Sequence, residues 1–172
     1  GIAIPENLGR VPVANRPDAY KIWSEIDVAD LFSEILPVPV YVENDAAAAS
    51  IGEMQFGHGL KSRSFIYTLI SAGLGGGLVI DGHYYRGADG RSGEIGFLPV
   101  TDENGQPQTL EDMVSLYSLY DYLRKAGINA STPEDLESLS ASAQARVDAW
   151  LDRAADKLFE PFLVMSCAIN PE

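Results

Sequence analysis

Residues 65–82 read FIYTLISAGLGGGLVIDG and carry the clearest structural signal in the chain. Phe65 to Ile70 is an apolar run of strand length, which indicates a strand covered on both faces. Ser71 to Gly77 is typical of a glycine-rich turn, and Leu78 to Ile80 resumes a strand. Asp81-Gly82 is a strong signal for a two-residue hairpin. The region is therefore predicted to form a strand, a glycine-rich turn and a hairpin.

Strands and helices also alternate before this region. The predicted strands are Gly1 to Ile4, which an irregular loop to Asn15 follows, and a buried run from Val38 to Val42. One helix is predicted to begin at Val28, capped by Asp27, and to end before Pro37. A second is predicted from Ala46 to about Phe56, closed by Gly57 and Gly59. The glycine- and serine-containing segment 57–64 is the candidate hinge between two partial lobes. Residues 1–61 would belong to an N-terminal lobe and residues 62–172 to a C-terminal lobe.

The second half of the chain is predicted to be mostly helical. A loop is expected at Arg86 to Gly96, a strand at Phe97 to Val100, a helix with a Thr109–Asp112 capping box ending at Gly127, a short helix started by Thr132 and Pro133, and a long helix from about Ser142 to Ala168, kinked at Pro161. Strand, helix, strand, helix, hairpin and further helices together indicate the α/β class.

Composition excludes several functions. The formal net charge of −13 argues against nucleic-acid binding by this segment, because such binding depends on Lys and Arg neutralising phosphates. Cys167 is the only cysteine, which excludes an internal disulfide, and its apolar surroundings predict a buried, inert thiol. A membrane span and a signal peptide are both absent from the sequence pattern, so a cytoplasmic protein is expected. The chain starts without Met in a predicted strand, so we expect a fragment of a larger protein.

Three polar segments are candidates for chemistry. Glu43-Asn44-Asp45 lies where a buried strand meets a helix, and Asp45 there could accept a proton from a sugar hydroxyl. Asp45 could equally be only the N-cap of the helix. The turn at 71–77 could cradle an anion with its backbone N–H groups, or be merely a sharp turn. Glu94, between two glycines, could face a small polar ligand or be a solvated loop residue.

Together, in this order and spacing, the motifs resemble those of the ROK family, which contains sugar kinases and sugar-responsive repressors. The resemblance is carried by Val-Glu-Asn-Asp-Ala at 42–46, Ser-Ala-Gly-Leu-Gly-Gly-Gly at 71–77 and Gly-Glu-Ile-Gly at 93–96. It implies an actin-like ATPase or ribonuclease H-like fold in two partial lobes. It also implies that Asn44, Asp45 and Glu94 contact a hexose or hexosamine, with Asp45 as the base in a kinase, and that Ser71, Gly73, Gly75 and Gly76 face nucleotide phosphates. Family members are usually homodimers.

Departures from the family pattern separate its two branches. Phe97 stands where the family has a histidine that binds zinc and sugar, and residues 101–108 contain no cysteine or histidine for the family's zinc loop. Ser71-Ala72 replaces the Gly-Thr of the kinases, and Ala72 lacks a hydroxyl for a phosphate oxygen.

These departures lead to a primary hypothesis with two alternatives. The chain is predicted to be the sugar-sensing and dimerisation core of a ROK-type transcriptional regulator that needs no cofactor or zinc, has lost kinase activity and meets DNA only through a missing N-terminal domain. The alternative is an ATP- and Mg-dependent sugar kinase. A third possibility is an actin-like interaction module that binds no sugar.

Overall fold

The computed structural model describes residues 1–5, 26–88, 90 and 92–172. The strands are β1 (Ile2–Ile4), β2 (Val42–Asn44), β3 (Phe65–Ile70), β4 (Leu74–Ile80), β5 (His83–Tyr84), β6 (Pro99–Thr101) and β7 (Pro107–Thr109). The α-helices are α1 (Val28–Ser33), α2 (Asp45–Phe56), α3 (Leu110–Val114), α4 (Leu116–Lys125), α5 (Pro133–Glu137) and α6 (Ala141–Ile169), and short 3₁₀ turns lie at His58–Leu60 and Ile95–Phe97. The predicted loop between Pro5 and Asn15 falls outside the described residues.

The first half of the chain is built on a parallel pair of strands. β1 pairs with β2 in the register Ile2 with Val42 and Ile4 with Asn44. Helix α1 lies in the crossover that a parallel pair requires, and Asp27 caps it as predicted. Helix α2 starts where β2 ends, so the polar residues at this junction lie at the carboxyl end of a strand.

A three-stranded antiparallel sheet in the order β3-β4-β5 forms the middle of the molecule. The predicted hairpin between β4 and β5 is confirmed, with left-handed φ angles of 53° at Asp81 and 78° at Gly82. Such angles at both central residues are typical of a type I′ turn, whose twist matches the flanking strands.

Helix α2 packs directly on this sheet through small residues. A Cβ placed on Gly75 would lie 2.8 Å from the Ala46 Cβ, and one on Gly77 would lie 2.1 Å from the Ser50 Oγ. Ser50 is fully buried and donates to the Ala46 carbonyl at 2.6 Å. The alanines and glycines therefore let the helix and β4 approach more closely than ordinary side chains permit.

The main core lies between helices α3, α4 and α6 and the start of β4. Its most buried members include Leu74, Leu110, Val114, Leu123 and Trp150. The capping box predicted at Thr109 and Asp112 is present. The helix predicted to start at Thr132 and Pro133 is α5, and it also begins with a capping box, which was not predicted.

Several predicted boundaries were wrong. Val38 is 57% exposed and the strand begins only at Val42. The glycine-rich turn is limited to Ser71–Gly73, because Gly75, Gly76 and Gly77 lie within β4. Phe97 ends a 3₁₀ turn and the strand follows at Pro99. The helix predicted from Thr109 to Gly127 is broken at Ser115, whose extended ψ of 161° ends α3 while its side chain caps α4.

The predicted burial of Cys167 is also wrong, because its thiol lies on an exposed face of α6. The apolar run around it continues onto a helix face that the described residues leave exposed, including Phe159 and Leu163. Within the described ranges no helix combines the length and apolarity needed to cross a membrane. The hinge at 57–64 and the division into lobes at 61/62 stay predictions.

Candidate functional site

An open cleft of about 970 Å³ brings together most of the predicted site residues. It is lined by the predicted sugar contacts Asn44, Asp45 and Glu94 and by the predicted phosphate contacts Ser71, Gly73 and Gly75. Three segments that are far apart in the sequence therefore meet at one surface. Gly76 is buried and lies outside this lining.

The β2–α2 junction presents the amide and the carboxylate at one wall. Asn44 is the N-cap of α2, and its Oδ1 accepts the Ala47 N–H at 2.9 Å. The alternative that Asp45 is the N-cap is therefore wrong, since Asp45 is the first helical residue. One oxygen of Asp45, Oδ1, accepts the Ala46 N–H at 2.8 Å. The cap holds both side chains in place beside the cleft.

The carboxylate of Asp45 is half-buried, and this burial raises its pKa, although hydrogen bonds to the Ala46 and Asp45 N–H groups oppose the shift. A raised pKa means a more basic carboxylate, which is the direction that favours proton acceptance from a hydroxyl. The start of α2 also places this carboxylate at the positive end of the helix dipole.

The loop that carries Glu94 rests on the middle of β4. Gly93 has a φ of 90°, and a Cβ on it would lie 2.7 Å from the Gly77 Cα. A Cβ on Gly76 would lie 2.5 Å from the Gly93 oxygen. This backbone-to-backbone contact fixes the half-buried Glu94 beside the cleft, so the glycines around it are explained by packing.

The turn at 71–73 has few backbone donors left for an anion. The Ser71 N–H donates to the Gly73 oxygen at 2.9 Å. The Leu74 N–H donates to Glu111 Oε2 at 2.7 Å, and a Cβ on Gly73 would lie 2.4 Å from the same oxygen. Of the four N–H groups from 71 to 74, those of Ala72 and Gly73 remain for a phosphate.

Sequence reasoning missed two features of the site. Glu111 lines the cleft from the first turn of α3, and only the capping box just before it marks this position as ordered. Arg86 forms an ion pair with Glu43, which raises the pKa of Arg86 further, and Glu43 also accepts the Asn44 N–H at 3.2 Å. No local pattern could reveal a pair 43 positions apart. The pair ties the β2–α2 junction to the loop that leads to Glu94.

The residues of this region do not fit the zinc site that the resemblance to the ROK family implies. Residues 99–109 contain neither Cys nor His, whereas a structural zinc site takes four Cys, His or acidic ligands. Within the described ranges no three His, Cys, Asp or Glu side chains are grouped so that they could hold a metal ion. Phe97 lines the cleft at the position where the resemblance implies a histidine.

This architecture has the actin-like ATPase fold. It aligns with the ROK hexokinase from Thermus thermophilus with a TM-score of 0.65 and 24% identity, over 86% of this chain and 53% of that one. The ROK family model matches residues 2–160, so the chain belongs to the ROK family.

Relatives of both branches match the chain. A xylose repressor of Bacillus spizizenii is 42% identical over 83 residues, which are 48% of this chain and 21% of the repressor. A glucokinase of Halalkalibacterium halodurans is 36% identical over 85 residues, which are 49% of this chain and 26% of the kinase. The chain thus matches only about a fifth to a quarter of the length of these two relatives, and the family contains both repressors and sugar kinases.

Proposed function

We propose that this chain is the sugar-sensing and dimerisation core of a ROK-type transcriptional regulator in which phosphate transfer is lost. The proposal rests on a difference between two halves of one cleft. The sugar half carries the predicted sugar contacts, and the phosphate half carries the predicted phosphate contacts. The sugar half keeps Asn44, Asp45 and Glu94 at its surface, whereas the phosphate half has lost its hydroxyl at Ala72 and uses two of its four N–H groups internally.

The sugar half is suited to a polyhydroxylated ligand. Carboxylate oxygens accept hydrogen bonds from hydroxyl groups, and the Asn44 side chain adds an amide group. Further carboxylates in the lining belong to Glu111, Asp102, Asp112 and Asp121. Bonds to charged acceptors are worth roughly 1.5–3 kcal/mol each, so a few such contacts give useful affinity for one sugar.

The phosphate half is poorly suited to a nucleotide. The described cations that line the cleft, Arg124 and Lys125, are both paired with Asp121. A triphosphate would therefore meet a turn that lacks a hydroxyl at Ala72 and has two of its four N–H groups in use. We therefore expect sugar to bind in the absence of ATP.

The regulator would be a homodimer whose subunits respond to sugar. With a net charge of −13, the chain would meet DNA only through a separate N-terminal domain. Sugar binding would change the relative orientation of the lobes and thereby of that domain.

A thermal-shift panel on the full-length protein tests the proposal. D-xylose, D-glucose and N-acetylhexosamines are each added with and without MgATP, and ADP formation is followed in parallel. Sugar alone should raise the unfolding midpoint, by an amount set by its concentration relative to Kd, with no added effect of MgATP and no ADP. Asp45→Asn should weaken this stabilisation, and Asp30→Asn, which removes an exposed carboxylate outside the cleft lining, should not.

The second candidate is an ATP- and Mg-dependent sugar kinase, supported by the basic Asp45 carboxylate at the cleft and by the similarity to a glucokinase. Sugar-dependent ADP formation that disappears in Asp45→Asn would establish this candidate and reject the first. Absence of stabilisation by every sugar, with or without MgATP, would reject both in favour of an actin-like module that binds no sugar.

A further inference from the structure

The hairpin formed by β6 and β7, residues 99–109, borders the cleft with Asp102 and Gln108, and we call it the rim hairpin. Its second strand ends at Thr109, which is the N-cap of α3. Glu111 follows two residues later, so the rim hairpin leads directly into the helical turn that carries this carboxylate.

The turn of the rim hairpin is organised around one carboxylate. Asp102 Oδ1 accepts the N–H groups of both Asn104 and Gln106 at 2.8 Å. The backbone closes the same turn, since the Asp102 N–H donates to the Gln106 oxygen at 3.0 Å and the Gly105 N–H donates to the Asp102 oxygen at 3.1 Å. The Gln106 N–H lowers the pKa of Asp102, so the carboxylate is anionic at neutral pH.

Helix α6 holds the rim hairpin from the other side. Lys157 Nζ donates to the Thr101 oxygen at 2.6 Å. One turn earlier on the same face, Arg153 Nε lies 3.5 Å from a carboxylate oxygen of Glu103. The Glu103 side chain is 69% exposed, so this ion pair contributes little, whereas the Lys157 bond ends on a backbone carbonyl. Val100 packs against the main core between these contacts.

We infer that Asp102 and Lys157 are positioning residues that order the rim hairpin without a metal ion and so hold the Glu111 wall of the cleft. Asp102 accepts the N–H groups that close the turn, and Lys157 binds the end of β6 to helix α6. These contacts occupy the segment that carries no zinc ligand in this chain. The ordering of the rim hairpin does not depend on the proposed function, whereas its effect on sugar binding rests on that function.

Hydrogen exchange in the intact protein without sugar tests the ordering. Asp102→Ala should speed exchange of the Asn104 and Gln106 amides by about tenfold or more, because both lose their acceptor. Glu103→Ala is the matched control, since it removes an acidic side chain and one charge from the next position. Lys157→Met should speed exchange across 99–109 while keeping the aliphatic stem. Equal exchange in Asp102→Ala and Glu103→Ala would overturn the inference.

Two further experiments, addition of a chelator and a conservative variant, complete the test of how the rim hairpin is ordered. Excess EDTA should leave exchange of 99–109 unchanged in the wild type, and faster exchange would show that a metal orders the hairpin, which overturns the inference. Asp102→Asn keeps an Oδ1 acceptor, so it should retain most of the protection even if Asp102→Ala fails to fold. Loss of protection in Asp102→Asn equal to that in Asp102→Ala would contradict an acceptor role.

The consequence for the ligand is measured with the sugar that stabilises the wild type. Asp102→Ala should weaken its affinity severalfold relative to Glu103→Ala, and Asp102→Asn should restore it. Faster exchange at 99–109 with unchanged affinity would overturn the positioning role. If no sugar binds the wild type, the proposed function fails, while the exchange results still decide whether the hairpin is ordered by Asp102 and Lys157.

Discussion

Asp45 occupies a position where burial and helix geometry act in opposite directions on one carboxylate. Burial raises its pKa, while the Ala46 N–H and the helix start stabilise the anion. A folded pKa above the unfolded one favours folding below the unfolded pKa, and this contribution is lost as the pH rises through the folded pKa. At pH 8 the carboxylate is ionised and this contribution to the stability of the fold is absent.

Replacing Asp45 with Asn should separate stability from ligand binding. At pH 8 the unfolding midpoint of Asp45→Asn should equal or exceed that of the wild type by about 2 °C, because the buried charge is removed. The difference should shrink as the pH is lowered towards the unfolded pKa of Asp. Thermal unfolding at several pH values measures this. A midpoint that drops at pH 8 would show that the anion stabilises the fold.

The ion pair between Arg86 and Glu43 should matter more for the ligand than for stability. Both side chains are partly exposed, so Arg86→Ala should change the unfolding free energy by at most about 1 kcal/mol. Because the pair joins the Asn44 junction to the Glu94 loop, sugar affinity should fall about three- to tenfold, roughly 0.7–1.4 kcal/mol. Calorimetric titration measures this, with the exposed Lys61→Ala as control. Equal affinities in the two variants would contradict the role.

At the scale of elements, α2 and β4 pack closely because the residues at their contact have small side chains or none. Gly77 of β4 faces Ser50 of α2 with no space for a methyl group between them. Gly52 lies two residues after Ser50 on the same helix, and a Cβ there would meet nothing within 4 Å. Gly77 therefore has no room for a side chain, whereas Gly52 does, although both lie in this helix–sheet pair.

Adding one methyl group at each glycine tests this contact. Gly77→Ala should destabilise the protein by about 1–3 kcal/mol through overpacking against the buried Ser50. Gly52→Ala should be neutral or stabilise by up to about 1 kcal/mol, because alanine is the better helix former. Urea unfolding of both variants gives the comparison. A tolerated Gly77→Ala would mean that α2 can move away from the sheet.

The order and type of most elements could be predicted because each has a local cause. Asp27 caps α1, Thr109 and Asp112 start α3, and Asp81-Gly82 makes the hairpin. The break at Ser115 and the length of β4 could not be read locally. Glycines are poor strand formers, and Gly75 to Gly77 are strand residues here because they pair with β3 while the helix and the Gly93 loop pack on them.

The candidate site was predictable in part for the same reason. Asn44, Asp45 and Glu94 stand in short motifs, and the structure brings them into one cleft. Glu111 and the Arg86–Glu43 pair depend on contacts between distant segments, which a linear pattern does not contain. The roles of the lining residues in binding stay predictions.

At the scale of the whole molecule, the hydrophobic core formed by the described residues lies between β4 and the C-terminal helices. Leu123 is fully buried in it, while Leu151 on α6 is 51% exposed. Leu123→Ala should cost about 2–5 kcal/mol through lost burial and a residual cavity, and Leu151→Ala should change stability by about 0.5 kcal/mol at most. Denaturant unfolding of both variants measures the difference. Similar losses would place Leu151 in a buried environment in solution.

The close packing of β4 against helix α2 and the Gly93 loop also bears on how such proteins diverge. Selection for folding alone would retain Gly75, Gly76 and Gly77, because the helix on one face and the Gly93 loop on the other leave no room for a methyl group. A lineage that abandons catalysis would therefore keep a glycine-rich motif for as long as it keeps its shape. The glycines of β4 therefore reflect close packing, and residues 71–73 at the tip of the turn are the better guide to chemistry.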